Sequence, residues 1–99
     1  MKPEIRQRLL EELASGKWRK ARGQLVREGN RRCCLGVLCE MYEAEGNNLY
    51  MEGDETLPPQ EVRAWAGFTS GVSEVRRLAN ANDLKAGWPI AEIEALDST

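Results

Sequence analysis

Cys33, Cys34 and Cys39 lie close together, directly after Arg31 and Arg32. A nucleophilic thiol needs its pKa lowered by a helix N-terminus, a nearby cation or a histidine. This run supplies the first two if a helix starts at Cys33 or Cys34. The third is missing, because the chain has no histidine at all. A Ser-His or Cys-His pair therefore cannot be assembled from these residues. The commonest nitrogen ligand of zinc is missing for the same reason. A thiolate-only zinc site takes four cysteines and the chain has 3, so a metal would need a second copy or carboxylates such as Glu40, Glu43 or Glu45. A disulfide between the adjacent Cys33 and Cys34 is strained, and Cys34 and Cys39 face different directions on one helix. Reduced thiols in a reducing compartment are the simpler expectation. Free cysteine behaves as a small buried apolar group, so packing is the expected role. No catalytic residue, cofactor or metal ligand is assigned, and the chain is expected not to be an enzyme. A cysteine-dependent enzyme stays as the competing class, and replacing Cys33 and Cys34 by Ala separates the two.

The second chemical feature is Lys17-Trp18-Arg19-Lys20-Ala21-Arg22, with Arg32 further on. Cations beside an aromatic ring suit a nucleotide, whose phosphates take the charge while its base stacks. A site of that kind predicts that Lys17, Arg19, Arg22 and Arg32 converge near a ring. The plainer alternative is a core tryptophan with solvated cations around it. Ala14-Ser15-Gly16-Lys17 lacks the upstream glycine and the following Ser or Thr of a P-loop, and no GxGxxG occurs.

Charge is unevenly distributed. Residues 1–36 carry ten Lys or Arg against four Asp or Glu, whereas residues 37–61 carry seven acids and no base. Such asymmetry shapes partner choice more than fold. The two stretches are expected either to pair with each other or to form surfaces for partners. On the acidic side, Glu40, Glu43, Glu45, Glu52, Asp54 and Glu55 form a solvated face or mimic a row of phosphates.

The elements that must carry these groups follow from periodicity. Ile5, Leu9, Leu10 and Leu13 predict a helix over 4–15, with Pro3 in its first turn and Gly16 as its left-handed stop. Residues 22–34 suit a short strand or hairpin, with a turn at Glu28-Gly29-Asn30-Arg31. Cys34, Val37, Leu38 and Met41, broadened by Leu35, Cys39 and Tyr42, predict the most buried helix over 33–45. Gly36 weakens that helix by about 1 kcal/mol relative to Ala, so close approach by another backbone is its expected benefit. Leu49, Tyr50 and Met51 are expected to dock on the core or to form a brief strand. Pro58-Pro59 opens a third helix with Val62, Trp65 and Ala66 inward and Gly67 as stop. Ser70 or Ser73 caps a fourth carrying Val75, Leu78 and Ala79, which Asn80-Ala81-Asn82-Asp83 breaks. Pro89 opens a last helix with Ile90, Ile93 and Leu96 inward. The last two helices have roughly a helix-turn-helix layout. The final one offers Glu92, Glu94 and Asp97 where base edges need Arg, Lys, Asn or Gln, which argues against DNA contact.

These elements predict a mainly α (α+β) fold. It is one domain over 1–99, with four to five short helices packed on a central Cys-rich helix and a minor β-hairpin. An apolar fraction of 41% and a charged fraction of 30% suit a globular chain. The longest apolar run, Leu35 to Leu38, is far short of a membrane span, and the start does not resemble a signal peptide.

The run Lys17-Trp18, Arg22-Gly23-x-Leu25 and Cys33-Cys34-Leu35-Gly36-Val37-Leu38-Cys39-Glu40 resembles a group of small proteins encoded by tailed bacteriophages and prophages. Leu57 through Gly67 and Leu78 through Leu96 are similar to that group too, so the likeness spans most of the chain. It implies a phage setting, the cytoplasm of an infected bacterium, and no catalytic residues to carry over. The expected function is a non-enzymatic accessory protein that binds and modulates a host protein, blocking a defence system being one such role. The candidate surface is Lys17, Trp18, Arg19, Lys20, Arg22 and Arg32, or the acidic stretch 40–55. The alternative is a protein that sequesters a nucleotide through segment 17–32.

Overall fold

Pro3 has no N–H to leave unsatisfied and its fixed φ suits a first turn, and the helix that follows buries Ile5, Leu9 and Leu13. The computed structural model describes residues 1–26, 29–49, 57–68 and 72–96. Their elements are α1 (Pro3–Ala14), β1 (Arg19–Lys20), β2 (Arg31–Arg32), α2 (Cys34–Ala44), α3 (Gln60–Ala66), α4 (Ser73–Leu84) and α5 (Ile90–Glu94). Gly16 and Gly67 take φ of +80° and +88°, the left-handed stops that the sequence predicts.

The centre is α2, buried continuously from Cys34 to Cys39 and again at Met41. It packs against α1, α3 and α4. All seven apolar positions named for this helix face protein, with Tyr42 half-buried at its rim. Tyr42 meets Trp65 edge-on at 5.4 Å and 69°, so Trp65 packs on the rim of the core while Val62 and Ala66 enter it. Gly36 is where the Leu25 main chain crosses the helix. A Cβ there would overlap the Leu25 carbonyl oxygen and lie 2.8 Å from its carbon. The expected close backbone approach is therefore present.

The minor β element is a two-stranded ladder whose pairing is parallel, Arg19 with Arg31 and Lys20 with Arg32. The hairpin expected over 22–34 reduces to one antiparallel bridge, Val26 with Arg32, closed by Cys33 N–H donating to the Leu25 carbonyl at 3.2 Å. The chain after β1 must reach Gly36 with Leu25 before it returns. That detour brings β2 back alongside β1 in the same direction.

Three expectations fail in the later helices. Asn80-Ala81-Asn82-Asp83 does not break α4, which runs to Leu84 with Asn82 fully buried. Buried hydrogen bonds to Asn82, described below, outweigh its weak helix propensity. Ile90 is 37% exposed instead of inward, because α5 has only five residues and turns just Ile93, with Leu96 after it, to the core. Ser73 is the first residue of α4 and makes no cap; Val72 precedes it. The expectations for Tyr50, Met51, Glu52, Asp54, Glu55, Ser70, Asp97 and Glu28 lie outside the described residues.

Candidate functional site

Cys33 precedes α2 in extended conformation, and its Sγ accepts the Gly36 N–H at 3.4 Å. It caps the helix as a serine would. Burial nevertheless pushes the Cys33 thiol above its ordinary range, against the lowering by the Gly36 and Leu35 N–H groups. Burial pushes Cys34 further up, and an ionised Cys33 would add to that. The cations expected to offset this face elsewhere. Arg32 turns to Glu40, Nε to Oε1 at 2.9 Å, and Arg31 is exposed. Desolvation therefore wins over the helix N-terminus, and all three free cysteines are buried.

This arrangement makes a direct prediction. An aromatic disulfide reagent should leave the native thiols unmodified over minutes and titrate all 3 once the chain is unfolded. Rapid labelling of Cys33 in the native protein would contradict the packing role. Unfolded Cys33 and Cys34 ionise near pH ~8.5, whereas burial keeps their protons on in the folded chain. Stability present below that pH is therefore expected to fall as pH rises through it.

Cys33 also lines a cleft of about 160 Å³ together with Arg76, Asn80 and Asp83. Asp83 Oδ1 accepts the Gly23 N–H at 3.0 Å and Asn82 Nδ2 at 3.2 Å. Among the described residues no group of three or more Cys, Asp or Glu side chains is placed to hold a metal ion.

The basic segment is divided between two sets of contacts. Trp18 is half-buried, and its indole N–H donates to Glu12 Oε1 at 3.0 Å. Lys17 Nζ lies 5.0 Å and the Arg32 guanidinium carbon 5.2 Å from the ring centroid. Both distances suit cation–π contact. Lys17 also pairs with Glu12 at 3.5 Å. Lys20 and Arg22 leave this ring and reach the α4–α5 turn. Lys20 Nζ donates to the Lys85 carbonyl and, at 3.1 Å, to that of Gly87, while Arg22 donates to Lys85 at 3.3 Å. Desolvation and then the neighbouring Arg22 lower the Lys20 pKa. Arg19 and Arg31 are aligned in the ladder and both exposed. Of the four cations expected to converge, Lys17 and Arg32 meet the ring, whereas Arg22 faces the turn and Arg19 is exposed.

Trp18 and Met41 line a groove of about 470 Å³ with Arg8, Glu12, Lys17 and Glu43. Glu12 and Arg8 were not evident as site residues from sequence, since α1 and α2 meet only in the fold, whereas Glu43 belongs to the acidic stretch that the sequence singles out. The opposite charge of the first and middle thirds is partly used internally, through Arg8–Glu45 at 2.6 Å and Arg32–Glu40. The Arg8 hydrogen bond, chiefly, holds the Glu45 carboxyl below its usual range.

Asn82 carries a role that local pattern could not reveal. Its Oδ1 accepts the Cys34 N–H at 3.1 Å and its Nδ2 donates to the Ala21 carbonyl at 2.9 Å. Ala21 N–H already pairs with Arg32, so the carboxamide adds a further rung to the ladder and caps α2 at once.

A family model described as a domain of unknown function (DUF8296) matches residues 1–97. No curated protein and no solved structure matches the chain.

Proposed function

The chain belongs to the DUF8296 family, and on the geometry above we propose that it is a non-enzymatic accessory protein of a phage that binds and modulates a host protein. Blocking a host defence is one form this takes. The observation that carries the reading is the Trp18–Met41 groove with its mixed charges. A large half-buried aromatic beside a flexible thioether, rimmed by both signs of charge, is the composition of a protein-docking patch. The buried, high-pKa thiols support the non-enzymatic side of the reading.

A nucleotide is the second reading, favoured by the two cations at the Trp18 ring. Glu12 and Glu40 oppose it, because phosphates entering the groove meet carboxylates already engaged with Lys17 and Arg32, and Glu43 lines the same groove. A tight nucleotide must raise the melting temperature, so no shift with mono-, di- or cyclic nucleotides is expected.

Affinity capture from a bacterial lysate tests the main reading. The wild type should retain one stoichiometric host protein. Trp18→Ala, checked for a cooperative melt, should weaken that complex by about 30-fold, as loss of a tryptophan anchor does. Unweakened capture by the variant would remove the groove from the account, and a nucleotide-induced shift would replace the first reading by the second.

A further inference from the structure

The two-stranded ladder has one edge that the fold completes and one that it leaves open. In a ladder, successive residues present their main-chain groups to opposite sides. On the side of β1 that faces β2, pairing is thorough. Asn30 Nδ2 donates to the Lys17 carbonyl, Arg19 N–H to Asn30, Ala21 N–H to Arg32, and Asn82 Nδ2 to the Ala21 carbonyl. Two of those bonds come from side-chain amides recruited where the β2 main chain does not reach. The alternate groups, at Trp18 and Lys20, point away from β2. In the register that pairs Arg19 with Arg31 and Lys20 with Arg32 neither N–H faces β2, and neither donates a turn or loop bond among the described residues.

We propose that this outer edge of β1 accepts an extended acidic segment of a partner protein by strand addition. Main-chain pairing would come from Trp18 and Lys20, in the way that exposed edges recruit strands. The charge of the edge selects the occupant. Lys17, Arg19 and Arg22 are exposed along it, and Arg31 stands beside Arg19 on the neighbouring strand. A second copy of this chain would bring the same cations opposite themselves, and like charges facing across a ladder repel. Acidic side chains at alternate positions would instead meet Arg19 and its neighbours. This inference goes beyond the Trp18 groove, because it uses the main chain of Trp18 and not its indole.

The probe is the blocked peptide Glu-Val-Glu-Val-Glu-Val, titrated into the full chain and followed by amide NMR and hydrogen exchange. Binding should shift the Trp18, Arg19 and Lys20 amides and slow exchange of the Lys20 N–H. A Lys-Val repeat should not bind. N-methylation of alternate peptide amides, and Arg19→Glu in the protein, should each weaken binding by about tenfold. Host-protein capture is scored in a separate assay on the same full chain, so peptide binding without capture, or capture without peptide binding, tells failure of the groove from failure here. No binding up to about 1 mM peptide, equal binding of the N-methylated peptide, or shifts confined to groove residues such as Glu12 and Met41 would overturn the proposal.

Discussion

Gly36→Ala is expected to lower the unfolding free energy by about 3 kcal/mol or more, at the upper end of what overpacking a core costs. The added methyl has nowhere to go. It would overlap the Leu25 carbonyl oxygen, and the nearest atoms are main chain, not the far end of a flexible side chain. The same carbonyl accepts the Cys33 N–H, so moving Leu25 away also opens the junction before α2. The gain in helix propensity from alanine, about 1 kcal/mol, offsets only part of the clash. Thermal unfolding should show a Tm lower by roughly 10–20 °C for a domain of this size. A fall of less than about 1 kcal/mol would mean that the 25–26 segment does not cross α2 at Gly36.

Asn82→Ala is expected to cost about 3 kcal/mol. Truncation strands the buried Cys34 N–H and Ala21 carbonyl, and each lost partner costs about 1–3 kcal/mol. Asn82→Asp distinguishes the two bonds. An ionised carboxylate still accepts from Cys34 but cannot donate to Ala21, and it stands beside Asp83 in a site with 0% exposure. Burial raises the pKa of such a group, so the variant should be worse than Ala at pH 7 and regain stability as pH falls through the raised folded pKa towards about 4, where the unfolded carboxyl protonates too. Urea unfolding at the two pH values measures this. An Asp variant as stable as wild type at neutral pH would contradict the assigned bonds.

The residues that announced themselves were those whose role depends on periodicity or on their own backbone. Ile5, Leu9 and Leu13 mark α1 by spacing alone, and the run from Cys34 to Met41 is too apolar on every side to lie anywhere but the centre. Gly36 was legible because a glycine inside a strong helix pattern asks for a steric reason. Asn82 was not, because its partners are 61 and 48 residues away and its local propensity favours ending a helix. Ile90 was misplaced because an apolar stripe says nothing about how short its helix is. The basic segment read as one patch, but the ladder and the α4–α5 turn sort its members. Trp18 with Lys17 and Arg32 lies over Glu12 and Glu40, and Lys20 with Arg22 latches onto Lys85 and Gly87. That division depends on contacts between distant segments, which spacing does not encode.

The Asn82 carboxamide joins the early, middle and late parts of the chain at one point. A nascent polypeptide therefore cannot complete the first turn of its innermost helix until α4 has left the ribosome. Loop closure across such separations slows folding, and an apolar α2 would stay unshielded in the meantime. Maturation is then expected to follow synthesis, with chaperone demand concentrated in the interval before α4 emerges.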